Sequence, residues 1–175
     1  MRLLKRTALA GLVFCALAGC GGVSTSSTQD TVAPDAQCEA VADASCQGTD
    51  LEGANFSGKD LSGIDFRRAH LVGANFSKAN LTQANFYGAD VSGANFADAI
   101  LVRATFDGAK LTGADVQNTR ITGASFKNAD LVDAQFGGAF ATDANFSGAT
   151  GNDELTGAFL CKTTKPNGEV AGGSC

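Results

Sequence analysis

Large apolar residues recur at every fifth position through most of this chain. The stretch LVGANFSKANLTQANF, residues 71–86, places Ala and Asn before a Leu or Phe three times. An amphipathic helix repeats its apolar face every 3.6 residues and a half-buried strand every second residue, so neither fits. We call the large apolar residue of each unit its centre. The centres are Leu51, Phe56, Leu61, Phe66, Leu71, Phe76, Leu81, Phe86, Val91, Phe96, Leu101, Phe106, Leu111, Val116, Ile121, Phe126, Leu131, Phe136, Ala141 and Phe146.

The other positions of each unit indicate which way it faces. Ala stands two residues before every centre from Ala69 to Ala149, except at Thr119, while the remaining three positions are mostly polar or Gly. We therefore expect the centre and its Ala to point into a core and the other three residues to point outward. Five residues per flat side, with a turn after each, give a coil of four sides and twenty residues. Successive coils would stack at the strand spacing of about 4.7–4.9 Å.

The pattern Ala–(Asn/Asp)–(Leu/Phe)–x–x resembles that of the pentapeptide-repeat family over roughly residues 49–160. The resemblance implies an all-β solenoid, a right-handed quadrilateral β-helix, with about five to six coils in this chain. Phe centres alternate with Leu, Val or Ile centres, so we expect Phe residues to stack on two opposite sides. Val116 and Ala141 are undersized, and we expect loose packing around them or repacking by Ile121.

The five-residue period breaks near Gly151. Nine residues rather than ten separate Phe146 from Leu155, after which Leu155 and Leu160 resume the period in a shifted frame. The missing residue predicts a kinked or looped last coil.

The first nineteen residues have the composition of an export signal. Arg2, Lys5 and Arg6 precede the apolar residues 7–18. This apolar run is shorter than the roughly 20 residues that a transmembrane helix needs. Residues 17–20, Leu-Ala-Gly-Cys, resemble a bacterial lipobox, which implies cleavage before Cys20 and lipidation of that residue. Ordinary cleavage after Gly19, which would leave Cys20 as a free thiol, is the alternative.

Residues 20–37 are small, polar and without a period, so we interpret them as a lipidated Cys followed by a flexible tether. Such a tether spans about 20–25 Å. The N-terminal anchor predicts an extracytoplasmic, membrane-attached protein of the bacterial cell envelope. By analogy with lipoprotein sorting in some two-membrane bacteria, Gly21 after the lipidated Cys favours the outer membrane over the inner one.

Net charge argues against two classes of partner. Loss of the signal segment takes the formal net charge from −5 to −8, because its three basic residues leave with it. Nucleic acids and anionic lipid headgroups both reward clustered Lys and Arg, so we expect neither as a partner of the whole chain.

Four Cys residues remain after Cys15 leaves and Cys20 is lipidated: Cys38, Cys46, Cys161 and Cys175. An even number in an exported protein predicts two disulfides. Pairing across the solenoid would require Cα atoms within about 7 Å, whereas its two ends are roughly 25 Å apart at the strand spacing. We therefore predict local bonds, Cys38–Cys46 in an N-terminal cap (38–48) and Cys161–Cys175 in a C-terminal cap (161–175). Residues 165–168, Lys-Pro-Asn-Gly, supply a turn that folds the C-terminal segment back.

The chain offers little catalytic chemistry. His70 is the only His and lies at an outward position, and Ser residues lack His and Asp partners at a recognisable spacing. Pairing of the four Cys residues leaves no His/Cys metal cluster. We predict a protein that is not an enzyme and that needs no metal or cofactor.

One outer side is the best candidate for contact with a protein partner. At the twenty-residue period Ile100, Arg120 and Phe140 fall in one column, and Val102, Thr122 and Thr142 fall in the column beside it. These six residues form the most apolar outer surface of the predicted solenoid. Neither the partner nor the oligomeric state follows from the sequence.

Three functions compete. A non-enzymatic, lipid-anchored envelope protein that presents a rigid surface for protein contact or a structural role agrees best with the lipobox and the repeat. Some pentapeptide-repeat proteins mimic DNA and act on gyrase, but basic residues interrupt the acidic ones here: thirteen acids and eight bases lie within 49–160. Export also removes the chain from gyrase. Ice or crystalline-surface binding is a third hypothesis, based on the short column of Thr82, Val102, Thr122 and Thr142.

Overall fold

The structure is a computed structural model that describes residues 38, 40–152, 155–172 and 175. The described residues all belong to one compact unit, Val32–Cys175. The predicted signal segment, the lipidation site at Cys20 and the tether up to residue 37 lie outside them.

Backbone pairing follows a register of twenty residues. Parallel bridges join Ser45 to Asp65, Asp50 to His70, and so on at every fifth residue up to Asp130 and Thr150. Each bridge is held by two hydrogen bonds: the Leu51 amide donates to the His70 carbonyl at 2.7 Å, and the His70 amide donates to the Thr49 carbonyl at 2.9 Å. Twenty residues with one bridge per five give the four-sided coil that the sequence predicts.

We name the four sides by their centres. Sides A and C carry aliphatic centres and lie opposite each other, and sides B and D carry mainly Phe. Side A contains Leu61, Leu81, Leu101, Ile121, Ala141 and Leu160; side B contains Cys46, Phe66, Phe86, Phe106, Phe126 and Phe146; side C contains Leu51, Leu71, Val91, Leu111 and Leu131; side D contains Phe56, Phe76, Phe96, Val116, Phe136 and Leu155.

The Phe residues of sides B and D form two ring columns that meet across the core. Within a column the rings are stacked, as in Phe86–Phe106, with centroids 4.6 Å apart and planes 3° apart. Between columns they meet edge to face, as in Phe86–Phe96 at 5.8 Å and 88°. Both geometries are favourable for aromatic pairs. The predicted inward centres and the alternating Phe columns are thus confirmed, whereas loose packing at Val116 and Ala141 stays a prediction.

Each side ends in a tight turn that explains the residue types around the centre. The residue two after the centre has positive φ throughout, and the amide three after the centre donates back to the centre's carbonyl, as Ala54 does to Leu51 at 3.1 Å. Positive φ at the third turn residue is the type II arrangement, which favours Gly. Asn or Asp before the centre accepts the amide two residues on; Asn95 and Ala97 are an example at 2.9 Å.

Two buried Thr residues replace Ala without leaving a polar atom unpaired. The Thr119 hydroxyl donates to the Val116 carbonyl at 2.8 Å, and the Thr163 hydroxyl donates to the Ala141 carbonyl. Throughout the described residues no buried side-chain nitrogen or oxygen lacks a partner. A hydroxyl bonded to a nearby backbone carbonyl is therefore tolerated in this Ala-lined core.

The missing residue is absorbed between Thr150 and Phe159. The register is still twenty at Asp130–Thr150 and becomes nineteen where β1 (Phe140–Thr142) pairs in parallel with β2 (Phe159–Cys161). Leu155 is fully buried and takes the next centre of side D. The Asn152 side-chain amide donates to the Ala134 carbonyl at 2.9 Å. In earlier coils the equivalent carbonyl accepts a backbone amide of the following coil, as the Ala114 carbonyl does from Gln135.

The C-terminal segment folds back onto the last coil. β3 (Thr163–Thr164) and β4 (Val170–Ala171) pair antiparallel around the turn at residues 165–168, as predicted. Gly172 approaches the Leu160 carbonyl so closely that a Cβ would collide with it, so only Gly fits there. Cys161 is bonded to Cys175, with Cα atoms 5.9 Å apart, and Cys38 is bonded to Cys46, with Cα atoms 5.0 Å apart.

Candidate interaction surface

The six residues that the sequence selects for contact all lie on the outside of side A. Arg120 is bridged to Ile100 on the coil before and to Phe140 on the coil after, so the three form one continuous column. Arg120 and Phe140 are exposed, and Ile100 is partly exposed. The neighbouring residues Val102, Thr122 and Thr142 are each partly exposed as well.

Phe159 extends this column, although the sequence pattern did not place it there. Its ring stacks on that of Phe140, with centroids 5.1 Å apart and planes 20° apart. Phe159 and Phe140 are 60% and 53% exposed, unlike the buried Phe pairs of the core. A register of twenty would have placed Leu160 beside Phe140. The nine-residue step before Leu155 was the signal, because it changes the register to nineteen and brings Phe159 into the column.

Positive charge accompanies the exposed rings. Arg103 and Lys162 stand at the turn positions of side A, and both are exposed, as is Arg120. Two carboxylates share the outside of this side: Asp60 lies at its start, and Asp143 lies in the turn after β1. Side A therefore has one net positive charge.

Side C, on the opposite face of the coil, is acidic. Apart from His70, its outward positions hold a single cation, Lys110, and five carboxylates. The carboxylates are Asp50, Glu52, Asp90, Asp130 and Asp133. Lys110 Nζ lies 3.6 Å from Asp90 Oδ2. Partial burial opposes ionisation of Asp90, but hydrogen bonds from Ser92 and the charge of Lys110 outweigh it and lower the pKa of this carboxyl.

Side B carries the strongest ion pair. Arg67 contacts both carboxylate oxygens of Asp65, with Nη2 at 2.6 Å and Nε at 2.9 and 3.0 Å. The side-chain hydrogen bond from Arg67 holds the pKa of Asp65 below its ordinary value. Tyr87, one coil on, is half exposed. The pair joins residues of one corner and stabilises the turn there, because the Arg67 amide also donates to Asp65.

A shallow recess of about 380 Å³ lies on side D at the register change. Gln117 and Gln135 line it, and the Gln117 amide nitrogen donates to the Gln135 amide oxygen at 2.8 Å. Asn152 and Thr156 close its other edge. The recess follows from the broken pairing near Gly151, and its amides are already bonded to each other or to the backbone.

Within the residues that the structure describes, the titratable side chains lie on different outer sides of the coil and do not converge on one site. His70 is exposed in the side C column between Asp50 and Asp90, as the sequence predicts for an outward position. Among the residues that the structure describes, no group of three His, Cys, Asp or Glu side chains could hold a metal ion. Nor does the described part of the chain contain a helix long and apolar enough to cross a membrane.

The repeat geometry matches a known family. The model for pentapeptide repeats matches residues 60–96, 92–128 and 129–153, with eight copies. These ranges cover more than half of the sequence. The chain belongs to the pentapeptide repeat family.

Several solved structures are similar to this pentapeptide repeat protein. One from the thylakoid lumen of Arabidopsis thaliana is 36% identical, with 59% of this chain and 65% of that chain covered and a TM-score of 0.44. This chain therefore spans slightly less than two thirds of the Arabidopsis protein. HetL of the cyanobacterium Nostoc, which is involved in heterocyst differentiation regulation, is 25% identical, with coverages of 72% and 76% and a TM-score of 0.29.

QnrB1, a plasmid-mediated fluoroquinolone resistance protein, is 20% identical to this pentapeptide repeat protein. The match covers 66% of this chain and 70% of QnrB1, with a TM-score of 0.32. None of the curated proteins compared with the chain matches it.

Proposed function

We propose that this pentapeptide repeat protein is a non-enzymatic, lipid-anchored protein of the bacterial envelope, where it presents a rigid surface for protein contact or a structural role. The observation that carries the proposal is the contrast between the inside and the outside of the coil. Buried centres and Ala residues hold every outward residue at a fixed position, while the outward residues differ from side to side. Such a scaffold suits recognition rather than catalysis, which needs convergent titratable groups.

The finer features of the fold belong to the same proposal. We propose a right-handed coil, in agreement with the family resemblance, of about five to six turns. The Cys38–Cys46 and Cys161–Cys175 bonds are proposed to close its ends, since a bare terminal coil exposes both core and unpaired backbone. In an oxidising envelope both bonds persist.

The anchor is tested by labelling cells with a fatty acid. Full-length protein is expected to take up the label and to remain with membranes after a high-salt wash. Cys20→Ala is expected to remain unlabelled, whereas Ser24→Ala, a control in the same segment, is expected to label normally. Equal labelling of Cys20→Ala would exclude lipidation at Cys20.

Protein contact is tested by affinity capture from an envelope extract. Variants of the two most different sides are compared with the unmodified chain: Ile100→Ser with Phe140→Ser on side A, and Asp90→Asn with Asp130→Asn on side C. A protein that is lost with only one pair is assigned to that side. Capture of no protein by the unmodified chain favours the structural role.

The structure gives no support to the two alternative functions. A DNA mimic needs continuous acidic columns, but His70 and Lys110 alternate with the Asp residues of side C. An ice-binding face needs a regular, flat array, and exposed Arg120 and Phe140 stand beside the short Thr column of side A.

A further inference from the structure

We infer that the C-terminal half of side A docks on a phospholipid bilayer, with Phe140 and Phe159 entering the interface and neighbouring cations contacting lipid phosphates. The inference rests in part on the proposed function, because the anchor at Cys20 would hold the protein at the membrane. It goes further by assigning an orientation and a bilayer contact to a side for which the sequence alone suggested a protein partner.

The exposed aromatic pair is the first observation. β1 and β2 are paired in parallel over three residues, so the rings of Phe140 and Phe159 are fixed beside each other on a small sheet. They are among the most exposed large apolar side chains in the described residues, and they lie in the same column as Ile100. Aromatic and aliphatic side chains on one face are what peripheral proteins insert at the boundary between headgroups and acyl chains.

Local charge is the second observation. Arg120 and Lys162 are exposed on the same half of side A as the two rings, against one carboxylate, Asp143, and exposed Arg103 lies one coil before Arg120. The whole chain is acidic, so an excess of cations beside the apolar pair is a local feature. Long basic side chains can bury their stems along an apolar surface while the charged ends reach phosphate groups. The negative net charge of the chain favours a zwitterionic surface over an anionic one.

The length of side A suits contact along a surface. Five coil-to-coil steps separate Asp60 from Phe159, which is roughly 24 Å at the strand spacing. Contact of side A with the bilayer leaves acidic side C, on the opposite face of the coil, for contact with a protein.

The test uses Trp fluorescence, because the chain contains no Trp of its own. Full-length protein carrying Phe159→Trp is bound to phosphatidylcholine vesicles with or without a quencher on the acyl chains. Val132→Trp is the matched control, because Val132 is also exposed but lies on side C. We expect strong quenching and a blue shift for Phe159→Trp, and neither for Val132→Trp.

The other outcomes are decisive too. Equal quenching of both variants, or no quenching of Phe159→Trp on vesicles that carry the protein, would overturn the bilayer contact. If Phe159→Trp is shielded from an aqueous quencher only after envelope proteins are added, side A contacts a protein instead of the bilayer, and the inference is overturned. Failure of the protein to float with vesicles would count against the anchor. In that case the Trp fluorescence of the same variants is measured while excess vesicles are added. Absence of quenching of Phe159→Trp in that titration would overturn the bilayer contact of side A.

Discussion

Sides A and C are built on the same inner plan and differ only on the outside. Leu101 of side A and Leu111 of side C are both fully buried, and each follows a buried Ala by two residues. Outside, side A exposes two stacked Phe rings among cations, whereas side C exposes five carboxylates. The comparison shows that in this repeat the inward residues keep to one plan, while the outward residues differ in charge and polarity from side to side.

The turns differ in the same sense. Side C uses Gly at four successive turn positions, where positive φ carries no steric penalty. Only the fifth turn of side C, at Asp133, is not Gly, whereas four of the six turns of side A are not: Gln83, Arg103, Asp143 and Lys162. A non-Gly residue there costs about 1–2 kcal/mol, so side A retains its outward side chains at the expense of stability.

The largest effect is expected where the two sides are alike. Leu101→Ala and Leu111→Ala should each lower the free energy of unfolding by about 2–5 kcal/mol, because each removes a fully buried side chain from a close-packed core. Urea unfolding followed by circular dichroism measures both. Val72→Ala, at an exposed position of side C, is the outward control and should change stability by less than about 0.5 kcal/mol. A near-neutral result at either Leu would contradict the common inner plan.

Loss of the C-terminal disulfide is expected to come next. Cys161 ends the outer column of side A beside Thr142, and its bond to Cys175 closes a loop with a sequence separation of 14. The double variant Cys161→Ser/Cys175→Ser should lose about 2–4 kcal/mol, as measured by urea unfolding. The Cys38–Cys46 bond, with a separation of 8, should matter slightly less. A double variant as stable as the unmodified chain would show that this bond does not constrain the last coil.

Exchanging turn residues between the sides should give smaller effects of opposite sign. Arg103→Gly removes the steric strain of a side chain at positive φ on side A. It should raise the free energy of unfolding by about 0.5–1 kcal/mol, after allowance for the greater freedom of Gly in the unfolded chain. Gly113→Arg on side C should lower it by about 1 kcal/mol. Thermal unfolding of the two variants measures both changes. Destabilisation by Arg103→Gly would mean that the Arg103 side chain stabilises the fold.

The smallest effect concerns the ion pair of side C. The pKa of Asp90 is lowered in the folded state, so its stabilisation is present above the ordinary value of 3.8 and is lost as the pH falls through the folded pKa. Lys110→Ala should therefore cost less than about 1 kcal/mol at neutral pH, since both groups are partly exposed and screened. The difference from the unmodified chain, measured by urea unfolding at each pH, should disappear on acidification. A difference that grows in acid would contradict this origin.

Much of the fold could be predicted from the sequence because the inner plan repeats. The period of five specifies which residues are buried, and the alternation of Leu and Phe places the ring columns on two opposite sides of the coil. The way Thr119 pairs its hydroxyl could not be predicted, because that depends on a nearby carbonyl rather than on the period.

The candidate site was predicted only in part. Ile100, Arg120 and Phe140 follow directly from the twenty-residue register. Phe159 does not, because one missing residue changes the register and moves every later side chain to a new neighbour. Turn strain at Arg103 and Lys162 is likewise visible only in the backbone angles. The sequence thus indicates the side, and the structure adds its aromatic end and its cations.

The contrast between sides A and C is tested most directly on the unmodified protein with a photoactivatable phosphatidylcholine. The full-length chain is bound to vesicles that contain this lipid, illuminated and analysed by peptide mass spectrometry. We predict lipid adducts on Phe140, Phe159 and their neighbours on side A, and none on Val72 or Val132 of side C. Adducts on side C, or spread evenly over both sides, would contradict the account.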